Sequence, residues 1–83
     1  MAVLDYYAQT IRAELAARHL TQIGLADYLG IDRRTLDYRL RKERAWTVDE
    51  LSKAANFLGL TYWQLSELAA EREKREKKGQ NNE

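Results

Sequence analysis

Residues 21–40 read TQIGLADYLGIDRRTLDYRL, and this stretch decides the fold. Thr21 stands between Leu20 and Leu25, and Asp32 between Ile31 and Leu36. Each is a short polar residue that can accept a first-turn amide, flanked by apolar residues at the two positions of a hydrophobic staple. Gly30 follows Leu29 and fits the left-handed position just past a helix end. The stretch therefore predicts two helices, 22–29 and 33–42, joined by a sharp turn. Gly24 inside the first lowers its propensity by about 1 kcal/mol relative to Ala, so packing must hold that helix. Ala26 is small enough for the second helix to cross closely. In the second, Leu36 and Leu40 lie four apart and point inward, while Arg34, Tyr38 and Arg41 fall on the opposite side. Asp37 marks one margin of that outer face, Thr35 and Lys42 the other, and Arg33 sits in the first turn.

The same local grammar recurs outward. Thr47 lies between Trp46 and Leu51, with Glu50 placed to complete a capping box; Thr61 lies between Leu60 and Leu65, with Gln64 in the corresponding place. Gly59 is a second helix stop. Upstream, Leu4, Tyr7, Ile11 and Leu15 recur at spacings of three and four, with Asp5 near the start and Arg18 and His19 near the end. Five helices are predicted, near 3–18, 22–29, 33–42, 48–58 and 62–77. The echo between DYLGID (27–32) and NFLGLT (56–61) is read as one junction used twice, because a repeat architecture needs about three units. Glu71 to Lys78 is charged throughout and predicts a solvated extension of helix 5, fraying from Gly79. The expected class is all-α, a compact five-helix domain over residues 1–70 with a charged helical extension and tail over 71–83.

Composition removes several function classes. There is no Cys, hence no disulfide, thiolate metal site or thiol nucleophile. One His and two Ser, without a visible His–carboxylate pairing, point away from metal binding and nucleophilic catalysis. The expectation is no enzyme, no cofactor and no small-molecule ligand. No apolar run approaches the roughly 18 residues of a membrane span, and no signal pattern opens the chain, so a cytoplasmic protein is expected. Trp46 and Trp63 are expected as staple and core residues rather than stacking platforms. The net charge of +1 conceals its distribution: residues 33–44 carry six Lys/Arg against two Asp/Glu, while residues 1–32 and 45–70 are each net acidic. A basic segment amid acidic ones suggests an anionic partner.

Two junctions have the helix–turn–helix form, and charge separates them. The helix after Gly59 begins Tyr62-Trp63-Gln64 without a cation, whereas the helix after Gly30 presents Arg33, Arg34, Arg39 and Arg41. The latter is the candidate reader of the major groove. Arginine's planar fork matches the O6 and N7 acceptors of guanine. Arg33, Arg34, Asp37 and Tyr38 are the candidate base readers. Asp37 would accept from a cytosine amine or orient Arg33, Arg34 or Arg41; Tyr38 would pack on a thymine methyl or donate to a phosphate. Thr35, Arg41, Lys42 and Arg44 are the candidate phosphate contacts. Gln22 joins them at a helix N-terminus, where amides face an anion.

From Thr21 to Leu68 the chain resembles the lambda-repressor-like (Cro/CI, Xre-type) DNA-binding domains. The likeness rests on Thr21-Gln22, Leu25-Ala26, Leu29-Gly30-Ile31, Leu36, the run Trp46 to Leu51, and Leu58-Gly59-Leu60. Arg39-Leu40 through Glu43-Arg44 to Trp46 is similar to a variant common in actinobacteria and their phages. The resemblance implies a five-helix fold with helices 2 and 3 as the reading unit, Arg33, Arg34 and Tyr38 facing bases and Gln22 facing a phosphate. Arg39 departs from it, standing where the family is often apolar, so the end of helix 3 is expected to pack differently or finish early. Ala45 departs too, at a place where Pro is frequent. The implied function is a transcriptional regulator of Cro type, a phage or bacterial repressor acting by promoter occupancy on double-stranded DNA. The alternatives are a protein-interaction module on the same fold, such as an antitoxin or phage adaptor, and a DNA-bending excision or architectural factor. Helix 5 lacks a long apolar seam, which leaves open whether two copies pair in solution or only on DNA.

Overall fold

The computed structural model describes the backbone of residues 2–42 and 46–81 and the side chains of residues 6–41 and 46–75. The helices are α1 (Ala2–Ala17), α2 (Gln22–Leu29), α3 (Arg33–Lys42), α4 (Val48–Phe57) and α5 (Tyr62–Asn81), with no strand among the described residues. The predicted starts and stops hold to within a residue except at the last. α5 does not fray at Gly79 but continues to Asn81. Residues 71–81 contain neither Pro nor a β-branched side chain, and the one weak residue, Gly79, costs only about 1 kcal/mol relative to Ala, too little to stop the helix.

All four predicted caps form. Thr21 Oγ1 accepts from the Gly24 amide at 3.0 Å, and Asp32 Oδ1 from the Thr35 amide at 2.9 Å. Thr47 and Glu50 make a reciprocal capping box at 3.0 and 3.1 Å. Thr61 and Gln64 make another at 3.0 and 2.9 Å. The stops share one geometry. Gly30 and Gly59 take left-handed φ values of 77° and 80°. The next amide reaches back five residues each time, Ile31 to the Ala26 carbonyl at 3.1 Å and Leu60 to that of Ala55 at 2.8 Å. The junction echo is thus one Schellman turn used twice, and α1 supplies a third without glycine. His19 adopts φ 58°, and the Leu20 amide reaches the Leu15 carbonyl at 2.9 Å.

The core gathers Tyr7, Ala8, Ile11 and Leu15 of α1, Leu25 and Ala26 of α2, Leu36 and Leu40 of α3, Leu51, Ala54 and Ala55 of α4, and Leu65 and Ala69 of α5, with Leu58 and Trp46 from the connections. Leu4, predicted on the α1 stripe, has its side chain outside the described residues. α1 and α5 are also tied by polar contacts: the Tyr7 and Ser66 hydroxyls lie 2.6 Å apart, and Arg72 Nε donates to Thr10 Oγ1 at 3.3 Å. The packing that compensates for Gly24 is visible. A Cβ there would stand 3.1 Å from Thr21 Oγ1 and 3.2 Å from Phe57 Cζ, so glycine lets the cap and the α4 ring close on α2.

A second expectation fails inside the fold. Trp46 is buried as predicted, but Trp63 is 75% exposed rather than part of the core. It occupies the first turn of α5, where the half-buried place goes to Tyr62, and the two rings meet near edge-on at 5.7 Å.

Candidate nucleic-acid interface

α3 is anchored in the core by Leu36 and Leu40, which are 0% and 1% exposed. The four-residue spacing places both on one side, so the opposite side is committed to solvent. There the structure brings together Arg34, Tyr38 and Arg41, all exposed, with Asp37 and Thr35 half-buried at the margins, while Arg33 is exposed at the first turn of the helix. Of the predicted residues, Arg34, Tyr38 and Arg41 thus share one outward face of α3. Asp37 Oδ2 accepts from Arg41 Nε at 3.1 Å, so of the three arginines it was expected to orient, Arg41 is the one it holds. At the other end of α3, Thr35 bonds Asp32 through its amide and its side chain. These bonds, the side-chain one foremost, hold the Asp32 carboxyl below its ordinary pKa.

Gln22 is the first residue of α2 and half-buried. The Gly24 amide is taken by Thr21 Oγ1 and the Leu25 amide by the Thr21 carbonyl, leaving the Gln22 and Ile23 amides without an intrahelical acceptor. That is the donor arrangement expected of an anion-facing helix start. Lys42 closes α3, but its side chain lies outside the described residues, as do Arg44 and Ala45. The competing junction behaves as its sequence suggested: the first turn of α5 presents Tyr62, Trp63 and Gln64 and no cation.

Two arginines that the sequence reading left without a role hold the last turn of α3. Arg12 Nη1, from α1, donates to the Leu40 carbonyl at 3.3 Å, satisfying one of the helix's open acceptors. Arg39, the departure from the family pattern, turns away from the outer face and ion-pairs with Glu50 Oε2 on α4. α3 does not finish early at this point but runs on to Lys42. Glu50 Oε1 simultaneously accepts the Thr47 amide. Partial burial pushes the Glu50 carboxyl up, but the Arg39 guanidinium and the Thr47 amide outweigh it and leave its pKa below the ordinary value. The signal for this pair was the charged residue at an often-apolar position; its partner, on another helix, had no local signature.

Among the described residues no group of three or more His, Cys, Asp or Glu side chains is placed to hold a metal ion. No described helix is long and apolar enough to cross a membrane. A family model described as helix-turn-helix matches residues 11–62, well over half of the chain. No curated protein and no solved structure gives a match. The matched span runs from the middle of α1 to the start of α5 and encloses the whole α2–turn–α3 unit. The chain belongs to the lambda-repressor-like (Cro/CI-type) family of helix-turn-helix DNA-binding regulators.

Proposed function

We propose that the protein is a sequence-specific transcriptional repressor of Cro type, phage or bacterial, that occupies promoter DNA through α3. The observation that carries this reading is the sorting of charge about one short helix. Arg34 and Arg41 are exposed opposite Leu36 and Leu40 and Arg33 is exposed at the helix start, while the geometrically equivalent junction at Gly59 carries no cation. In this reading Arg33, Arg34, Asp37 and Tyr38 read base edges in the major groove. Gln22, Thr35, Arg41, Lys42 and Arg44 contact phosphates and set the register. Repression is steric, by occupancy of a site that polymerase also needs. Two copies pair at least on DNA, on a near-palindromic site, in the cytoplasm of a bacterial host.

Selection from a random duplex pool, with bound fractions compared at low and near-physiological salt, tests the proposal. A motif that survives the higher salt supports a sequence-specific regulator, and its symmetry reports the assembly on DNA. Binding that vanishes with salt and yields no motif refutes it, because non-specific association is carried by phosphate charge alone.

A further inference from the structure

α3 is held against the rest of the molecule by very little apolar surface. Its fully buried side chains are Leu36 and Leu40. Two leucines on one stripe fix the distance of a helix from the core better than its rotation about its own axis. A recognition constellation must nonetheless be held to within about 0.5 Å and 10–20° to discriminate its target. The remaining constraint on the C-terminal half of α3 is polar. Arg12 grips the Leu40 carbonyl from α1, and Arg39 grips Glu50 of α4. Glu50 is itself fixed by the Thr47 amide, so its carboxylate is a rigid acceptor rather than a swinging one.

We propose that the Arg39–Glu50 pair is a positioning device for the DNA-reading helix: it sets sequence discrimination by fixing the rotation of α3, and Arg39 does not itself contact DNA. The inference rests on the DNA-reading function proposed above. Arg39 is a cation in the most basic segment of the chain, and its simplest role would be another phosphate contact. Its guanidinium is instead committed to α4, with both partners' side chains about one-fifth exposed.

The test turns on Glu50→Gln. Glutamine at this place keeps the capping box, as Gln64 does on Thr61 in the same chain, and removes the charge that holds Arg39. Glu50→Gln, Arg39→Ala and the conservative Arg39→Lys are compared for affinity to a selected duplex and to a scrambled one across salt, after cooperative thermal unfolding confirms each fold. The expected result is a specificity ratio lowered about threefold to thirtyfold in Glu50→Gln and Arg39→Ala, within the range for coupled polar neighbours. Arg39→Lys recovers part of it, and scrambled-duplex affinity and salt slope stay as in the wild type. Arg39→Ala weakening both duplexes alike and lowering the salt slope by about one would make Arg39 a phosphate ligand and overturn the proposal. An unchanged ratio in both variants overturns it as well. A DNA-free readout separates this from failure of the functional reading: Glu50→Gln should speed amide exchange over residues 36–41 relative to α1. Unchanged exchange refutes the positioning role even where wild-type protein selects no motif.

Discussion

Replacing His19 by Gly should make the protein more stable, although it removes a side chain. His19 ends α1 at φ 58°, where a Cβ crowds the following carbonyl at a cost of about 1–2 kcal/mol. Its two counterparts, Gly30 and Gly59, meet the same requirement at 77° and 80° without that strain. His19 is exposed, so truncation opens no cavity. Against the relief stands the greater freedom of glycine in the unfolded chain, about 0.5–1 kcal/mol. The balance is a stabilisation of about 0.5–1 kcal/mol, which for a domain of this size raises Tm by about 2–8 °C. Circular dichroism of thermal and urea unfolding measures it, with His19→Ala as the control that loses the imidazole but keeps the Cβ. Gly30→Ala is the mirror experiment. Nothing lies within 4 Å of a Cβ at Gly30, so the net loss of about 0.5–1 kcal/mol expected there is backbone strain less the unfolded-state freedom of glycine, with no steric clash added. If His19→Gly is no more stable than wild type, or His19→Ala gains as much, left-handed strain at the α1 stop is the wrong account.

Four further outcomes are expected. Arg34→Ala should weaken binding to a selected duplex by about 1–3 kcal/mol and relax preference at one base pair, whereas Lys42→Ala should weaken all duplexes alike and lower the salt slope by about one; competition titrations distinguish them. Tyr7→Phe should lower stability by about 0.5–1.5 kcal/mol in urea unfolding, because the Ser66 hydroxyl loses its partner across the α1–α5 contact. Asp32 and Glu50 have folded-state pKa values below their ordinary ones, so their contribution is full above the ordinary carboxylate pKa of about 4 and is lost as pH falls through the folded values. Urea midpoints should therefore be insensitive to these two groups from pH 7 to 5 and fall below about pH 4, with Glu50→Gln flattening part of that fall. Thr47→Ala should cost about 1 kcal/mol through loss of the α4 cap, measured in the same unfolding series.

What could be read from the sequence was what local chemistry decides. The caps at Thr21, Asp32, Thr47 and Thr61 and the stops at Gly30 and Gly59 are each settled within about six residues, and all of them form. The outer face of α3 was legible for the same reason: the spacing of Leu36 and Leu40 assigns the rest of the helix. The failures are questions of tertiary choice. Trp63 follows Tyr62 directly, and only the packing of α5 decides which aromatic turns inward. His19 occupies a left-handed position whose usual marker is glycine, so the sequence showed a helix end but not its geometry. The Arg39–Glu50 pair joins residues eleven apart on different helices, beyond the reach of any periodicity.

The failed expectation at Trp63 gives the molecule an optical asymmetry. Trp46, 6% exposed in the passage from α3 to α4, should emit toward the blue and resist aqueous quenchers. Trp63, three-quarters exposed, should emit toward the red and quench freely. Substituting Trp63 by Phe leaves a single tryptophan, four residues past the end of α3, which can be excited apart from the five tyrosines. Any ligand that shifts α3 against α4 then changes the colour of the protein's own emission, without a dye or an attached label.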